Sequence, residues 1–398
     1  MKKIFVFLGL LIIVSISAFA ASEEVQVYAH LYNNAPTMDS QLDILQFMMQ
    51  ARLAGAGEFY ASALRNLVAG YNNIRRGDVT EKDAADDQAI ILSRLLGAEK
   101  YSQASDDLWK VIDAFDNPMV KSEALMALGR IRSETYLPHV TRLLSNLNER
   151  ATPDRLGGAR IAFGAIISLE KYQQPVGYLP VFIASIPSAW YAGWVKEQAK
   201  KSLPLIAKDP TPYLMQIVQG GGNYNYETKY IALQTIEAVS VENENKAEVA
   251  VAALHEGWNA RTNVQRDRLM LASMRKMALD MIGKYRPEDE AMYTTLDKSM
   301  RDGSDADEKL RAIKALASLR TDEGTKKLAD YLDFFNTRMQ RSGRLEREEL
   351  RLVQELIRAL GYTRNRNAAT ALNAVTALSY TNAIKNLARE ALRQIPNS

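Results

Sequence analysis

The sequence contains no cysteine and only three histidines among its 398 residues. Without cysteine, disulfide bonds, thiolate metal ligands and a cysteine nucleophile are all excluded. The histidines His30, His139 and His255 lie far apart in the chain, and none has a second histidine at the spacing that metal ligands require. The Gly-x-Ser-x-Gly motif of serine hydrolases is also missing. These absences predict a protein that is not an enzyme and binds neither a metal nor a cofactor.

The chain also lacks a strong excess of charge of either sign. Lys and Arg number 50 against 47 Asp and Glu, and two of the basic residues are Lys2 and Lys3 at the amino terminus. Without those two the balance is 48 to 47, a net charge of about +1. Such a balance creates no general positive field to attract nucleic acid or an anionic membrane, so we expect neither partner.

Long apolar runs are missing except at the amino terminus. Residues 4–16 are almost continuously apolar, they follow two lysines, and Ala18-Phe19-Ala20 has the small-x-small form that a signal peptidase needs. We therefore predict a cleaved signal peptide over residues 1–20 and export to the periplasm, with secretion as the further alternative. An uncleaved anchor is the less favoured interpretation, because a membrane span needs roughly 20 apolar residues. After cleavage no membrane span is expected.

The next segment, residues 21–36, has no helical period and contains the turn-like run Asn33-Asn34-Ala35-Pro36. This segment is predicted to be an extended lead-in. From Thr37 onward, apolar windows with helical spacing alternate with short polar breaks, and no series of strands with period-two alternation occurs. The remainder is predicted to be all-α.

One helical pattern recurs along this all-α part. A small residue is followed four positions later by an aliphatic one, and the aliphatic positions are between 32 (Leu360 to Leu392) and 46 (Ile236 to Ile282) residues apart. Two helices and two turns need about that length, so each period predicts one helical hairpin. The small residues of the pattern are Ala124, Ala162, Ala199, Ala232, Ala278, Ala312 and Ala388. Alanine at such positions lets the neighbouring helix approach closely.

The clearest copy, from Asp116-Asn117-Pro118 through Ala124 to Ile131, resembles the inner helix of HEAT repeats of the short bacterial kind. The sequence departs from that pattern where Leu356 replaces the alanine. The resemblance implies a right-handed α-solenoid of stacked helical hairpins, similar to HEAT and armadillo proteins. We expect about nine hairpins in one continuous domain over residues 37–398. Tetratricopeptide repeats are excluded, because their strict 34-residue period is missing.

Two groups of aromatic residues are candidate contact points for a partner. Trp190 and Trp194 form one group, and Tyr224 and Tyr226 lie in a glycine- and asparagine-rich segment where no core is expected. Trp and Tyr are enriched at interface hot spots, but core packing could also account for several of them.

A basic residue recurs at one position of the repeat, for example as Lys196 and Lys229. Exposed charges in register usually serve solubility and local pairing, so an internal ladder between adjacent repeats is one interpretation. The other is a cationic stripe that binds an acidic partner.

Together these features predict an exported, non-catalytic scaffold or adaptor that binds protein partners of the periplasm or cell envelope. The alternative is an envelope protein that binds a cell-wall polymer or another carbohydrate. The candidate binding residues are Trp190, Trp194, Lys196, Tyr224, Tyr226 and Lys229.

Overall fold

The computed structural model describes residues 23–396, which form twenty α-helices and no strand. The predicted signal peptide, residues 1–20, lies outside the described residues. The helices are α1 Glu23–Asn33, α2 Met38–Ala51, α3 Gly57–Ile74, α4 Val79–Glu99, α5 Ser105–Ala114, α6 Pro118–Ile131, α7 Leu137–Glu149, α8 Arg155–Tyr172, α9 Tyr178–Ser185, α10 Gly193–Ile206, α11 Thr211–Gln219, α12 Tyr226–Ala238, α13 Asn243–Asn259, α14 Gln265–Tyr285, α15 Met292–Asp302, α16 Ala306–Leu319, α17 Asp322–Ser342, α18 Arg347–Thr363, α19 Ala369–Ala377 and α20 Asn382–Gln394.

Consecutive helices pair as hairpins, and the hairpins form two compact units that divide between Lys208 and Asp209. In the first unit the second helices of the hairpins, α2, α4, α6, α8 and α10, pack side by side in order. In the second unit the same is true of α12, α14, α16, α18 and α20, and α11, α13, α15, α17 and α19 form a parallel layer. The predicted all-α fold of stacked helical hairpins is therefore confirmed.

Three details differ from the prediction. Among the described residues there are ten hairpins, five in each unit, where about nine were expected. One continuous domain was predicted, but the hairpins divide into two compact units after Lys208. The predicted extended lead-in is also wrong, because α1 occupies most of it. Glu23 and Glu24 stand in the first turn of α1, where carboxylates favour a helix. Val25 and Tyr32 are buried, and the Tyr32 hydroxyl donates a hydrogen bond of 2.9 Å to the Gln88 side chain of α4.

Small residues set the distance between neighbouring second helices. A Cβ atom added to Gly129 on α6 would lie 2.5 Å from the Ser168 Cα on α8, and one added to Gly164 on α8 would lie 2.6 Å from the Ser122 carbonyl on α6. The repeat alanines Ala124 and Ala162 are fully buried. Close backbone approach at α6 and α8 thus explains the recurrence of small residues in the sequence.

Several helices have a usual capping residue at the amino-terminal end, but many of the carboxy-terminal ends do not. Asn117 and Asp305 cap α6 and α16 through their side chains. The Asp302–Glu308 segment therefore contains the start of α16. At the other end, seven second helices stop at a residue other than glycine in the left-handed conformation, with φ between 53° and 58°: Arg52, Lys100, Arg132, Gln173, Arg286, Arg320 and Arg364. Glycine is the usual residue there.

Within residues 23–396, no helix combines the length and the apolar character that crossing a membrane requires.

Candidate functional site

The predicted contact residues of the first unit serve largely as internal packing. Trp190 donates a hydrogen bond of 2.7 Å from Nε1 to the Leu147 carbonyl and contacts Tyr191, so it is held against α7. Lys196 donates from Nζ to the Pro187 carbonyl at 2.6 Å, within its own hairpin. Trp194 is different, because 39% of it is exposed.

The structure brings Trp194 together with two residues of α8. Its ring lies 5.2 Å from that of Phe163, and the Arg160 guanidinium lies 5.4 Å from its centroid. This small cluster is the most accessible part of the predicted contact surface in the first unit.

In the second unit, Lys229 is fully buried and pairs with Glu256 of α13. Arg275, at the same position of the repeat, is also buried and pairs with Glu308. A buried cation cannot reach a partner. The interpretation of the basic positions as an internal ladder is thus the one that the geometry of Lys229 and Arg275 supports.

Tyr224 and Tyr226 lie at the turn before α12 and are half-buried. The Tyr226 ring faces the buried Lys229, with Nζ 5.8 Å from the ring centroid. Tyr224 lies against the position where a Gly220 Cβ would be, 2.8 Å away. The two tyrosines therefore stabilise the turn, and neither projects freely from it.

Acidic side chains of the second unit line two adjacent clefts. The first acidic cleft, of about 780 Å³, lies between α11, α13 and the loop after α14. Its floor is apolar and includes Met215, Ala247 and Val251. Glu244 and Glu248, one helical turn apart on α13, form one wall, and Glu288 of the loop faces them.

The second acidic cleft, of about 960 Å³, lies on the other side of the same loop, against α15 and the start of α17. Its carboxylates are Glu288, Asp289, Glu290, Asp322 and Glu323. Leu319 supplies an apolar contact, and a hydrogen bond of 2.8 Å between Tyr293 and Thr321 closes one side.

Most of these carboxylates form no ion pair with another described residue. Among residues 23–396, no ion pair involves Glu244, Glu248, Glu288, Asp289 or Glu290. Glu323 has an ion pair of 3.6 Å with Lys327, and Asp322 accepts a hydrogen bond from Asn365. Seven carboxylates thus face two cationic side chains, Arg286 and Lys327, across both clefts.

The loop between the clefts, residues 286–290, is held in place at both ends. Asp289 accepts a hydrogen bond of 2.8 Å from the Ala291 amide, just before α15. At the end of α14, the Tyr285 hydroxyl donates to Glu237 at 2.7 Å. Burial opposes ionisation of Glu237, but hydrogen bonds from Lys284 and Tyr285 hold its pKa below its ordinary value. Hydrogen bonds at both ends therefore hold the loop between the clefts in position.

Sequence reasoning missed this site. The signal was present as the run Glu288-Asp289-Glu290 and as the spacing of Glu244 and Glu248, but it takes the fold to place α13 opposite the loop. His255 also lines the first acidic cleft and shares a hydrogen bond of 2.9 Å with Thr295. Across the described residues, no group of three or more His, Asp or Glu side chains is placed to hold a metal ion.

Comparisons with known proteins add little to this picture. No protein-family model matches the sequence, and no curated protein matches it. Among solved structures, the chain matches human deoxyhypusine hydroxylase in complex with glycerol, with 13% identity, over 75% of this chain and 97% of that one. The TM-score is 0.26, so no activity, ligand or site residue is carried over from that protein.

The comparison nevertheless corrects the functional prediction. The matched solved structure is that of an enzyme, so an array of helical hairpins is not in itself evidence against catalysis. The prediction of a non-catalytic scaffold, its polymer-binding alternative and the prediction that the chain is not an enzyme are therefore not upheld.

Proposed function

We propose that the second unit binds a basic, extended segment of a protein partner in the two acidic clefts. The observation that carries the proposal is the excess of carboxylates around two adjacent cavities, the first of which also has apolar lining residues. Lysine and arginine have apolar stems and charged heads, so a basic side chain can lie on Met215 and Val251 and still reach Glu244 or Glu248.

The two clefts share one wall, so a single extended segment can occupy both at once. Binding at the second cleft is then intramolecular, which raises the overall affinity without new contacts. The negative field also accelerates encounter with a cationic partner, more so at low salt. The expected partner is therefore basic, whereas the predicted cationic stripe called for an acidic one.

The test is binding of a fluorescein-labelled peptide with several lysines spaced by alanines, followed by fluorescence anisotropy. We expect Glu244→Gln/Glu248→Gln/Glu288→Gln/Glu290→Gln to weaken binding at least tenfold. The control Asp330→Asn/Glu390→Gln removes exposed carboxylates of the same unit outside both clefts and is expected to bind as tightly as the wild type. Equal binding by the wild type and the fourfold variant would refute the proposal.

Salt dependence provides a second readout of the same experiment. Affinity is expected to fall as ionic strength rises, because contacts between exposed charges are screened. An acidic peptide of equal length should not bind. If it binds as well as the basic one, the recognition is not electrostatic and the proposal fails.

We also propose that the chain is exported and that its hairpins are HEAT-like repeats. Export rests on the pattern of residues 1–20, and it predicts a mature protein that begins at Ala21 and is recovered from the periplasm. The mass of the protein purified from its native cell measures this directly. The HEAT-like assignment is supported by the burial of the repeat alanines, including Ala124, Ala232 and Ala312, beside neighbouring second helices.

A further inference from the structure

A third cleft of the second unit, of about 550 Å³, differs in chemistry from the two acidic clefts and shares no residue with them. It lies between the end of α15, the start of α16, the middle of α17 and the start of α18. We name it the aromatic cleft, after Tyr331, Phe334 and Phe335.

The three rings form one apolar wall. The centroid of Phe335 lies 4.9 Å from that of Tyr331 and 5.3 Å from that of Phe334. Tyr331 and Phe335 are buried, but 47% of Phe334 is exposed. An exposed phenylalanine on a rigid base of buried rings is a suitable contact for an apolar or aromatic ligand group.

Most charged groups of the cleft have partners within the protein. Arg301 donates to Asp297 at 2.9 Å and lies 5.0 Å over the Tyr331 ring. Arg338 pairs with Glu349. These contacts fix the sides of the cleft and neutralise their own charge.

Other acids of the cleft are used at helix starts. Asp305 caps α16 and has an ion pair of 2.6 Å with Lys276. Glu346 forms the capping box of α18 with Glu349. Neither carboxylate is therefore free for a ligand.

Three charged side chains remain. Among the described residues, no ion pair or side-chain hydrogen bond involves Lys309, Asp302 or Glu348, and all three line the cleft. The Lys309 side chain passes close to Gly303, because its Cγ would lie 3.1 Å from a Cβ added there. The turn at Gly303 has no room for a side chain, since that same Cβ would be 2.5 Å from the Ser299 carbonyl oxygen.

We infer that the aromatic cleft binds a zwitterionic small molecule of the α-amino acid class with an aromatic or large apolar side chain. Phe334 contacts the side chain of the ligand, Lys309 binds its carboxylate, and Glu348 or Asp302 binds its ammonium group. Both charges and the apolar body of such a ligand find a complement in one cavity.

Three probes of nearly equal size test whether binding needs both charges of the ligand. Their affinities are measured by isothermal titration calorimetry. L-phenylalanine carries both charges, phenethylamine only the cation, and 3-phenylpropanoate only the anion. We expect L-phenylalanine to bind at least tenfold more tightly than either of the others. Equal binding of phenethylamine and L-phenylalanine, or no binding of L-phenylalanine, would overturn the inference.

Variants assign the contacts. Lys309→Gln is expected to weaken the binding of L-phenylalanine at least tenfold and to leave the affinity for phenethylamine unchanged. Phe334→Ala is expected to weaken the binding of all three probes. Lys326→Gln, an exposed lysine of α17 outside the cleft, is the matched control and should behave as wild type. If Lys309→Gln and Lys326→Gln bind L-phenylalanine equally, Lys309 is not a ligand contact and the inference fails. Because no acidic-cleft residue is changed, the outcome is independent of the basic-segment proposal.

Discussion

The Arg275 guanidinium of α14 donates two hydrogen bonds, of 2.6 and 3.0 Å, to the two carboxylate oxygens of Glu308 on α16, and both side chains are buried. Arg275 also donates to the Gly257 carbonyl at 2.9 Å and lies 4.4 Å from the Trp258 ring centroid. The same carboxylate accepts hydrogen bonds from the Ser304 amide and hydroxyl. One ion pair therefore connects two hairpins and the turn between α15 and α16.

Replacing Glu308 by Ala is expected to lower the free energy of unfolding by about 3–5 kcal/mol, because it leaves a buried guanidinium without its counter-charge. Urea unfolding followed by tryptophan fluorescence measures the change. The control is Glu197→Ala, which breaks the exposed Glu197–Lys200 pair of 2.9 Å and should change stability far less. A loss at Glu308 no larger than the loss at Glu197 would show that the pair does not stabilise the fold.

Replacing a lysine by glutamate should have different effects on stability at Lys229 and at Lys196, although both occupy the same position of the repeat. Lys229→Glu places a second carboxylate beside Glu256 in a buried site, so we expect the second unit to lose its cooperative unfolding transition. Lys196→Glu removes a half-exposed hydrogen bond to the Pro187 carbonyl and should cost about 1 kcal/mol. Circular dichroism with thermal denaturation reports both. Folding of Lys229→Glu with an unchanged melting temperature contradicts the burial of this lysine.

Gly129→Ala tests the close approach of α6 and α8. The added Cβ would meet the Ser168 backbone at 2.5 Å, so the helices must move apart, at a cost of about 1–3 kcal/mol. Gly193→Ala at the start of α10 is the matched control, because nothing lies within 4 Å of the added atom. The control should be neutral or slightly stabilising. Equal stability of the two variants would mean that α6 and α8 are not in this contact.

Tyr60→Phe is expected to be neutral or to raise stability by about 1 kcal/mol. The Tyr60 hydroxyl is buried and has no hydrogen-bond partner in the described part of the chain, so its removal relieves a desolvation cost. Tyr32→Phe, by contrast, removes the bond to Gln88 and should destabilise by about 1 kcal/mol. In denaturant unfolding, the midpoint of Tyr60→Phe is expected at or above that of the wild type and the midpoint of Tyr32→Phe below it; a lower midpoint for Tyr60→Phe would contradict the prediction.

The same tyrosines give stability a dependence on alkaline pH. Burial raises the pKa of Tyr32 to about 12, and burial with the nearby Glu99 charge raises that of Tyr60 to about 12. Above pH 10 the unfolded chain loses these protons while the folded chain keeps them, so stability is complete below about pH 10 and falls as pH rises toward 12. The expected slope is up to about 1.4 kcal/mol per pH unit for each such tyrosine. Tyr60→Phe should show a shallower decline between pH 10 and 12, and an identical decline would argue against a buried Tyr60.

Local patterns accounted for what the sequence could predict. The helical period and the repeat alanines depend on spacing within a few turns of the chain, so both could be predicted from the sequence. The α1 helix was missed because part of its stabilisation comes from Gln88, 56 residues away. The run Asn33-Asn34-Ala35-Pro36 does end a helix, but it says nothing about the ten residues before it.

The candidate site was harder to predict for the same reason. Nothing near Lys229 in the sequence indicates that its ammonium group is buried and pairs with Glu256, 27 residues later in the chain. The first acidic cleft needs α11, α13 and the loop after α14 to come together, and their carboxylates have no period of their own. Trp194 is partly exposed, but its neighbours Arg160 and Phe163 come from another hairpin, which the sequence could not indicate.

The left-handed residues at the ends of seven helices have a practical consequence. Each non-glycine residue in that conformation costs about 1 kcal/mol relative to glycine, partly offset by the greater freedom of glycine in the unfolded chain. Lys100 is exposed, and within residues 23–396 its side chain takes part in no ion pair or hydrogen bond, so Lys100→Gly is the natural first choice for engineering heat tolerance. Of the seven positions only Arg286 borders the acidic clefts. Lys100→Gly can thus raise heat tolerance at a position far in the sequence from the proposed binding surface, whereas Arg132 and Arg320 make side-chain contacts that glycine would lose.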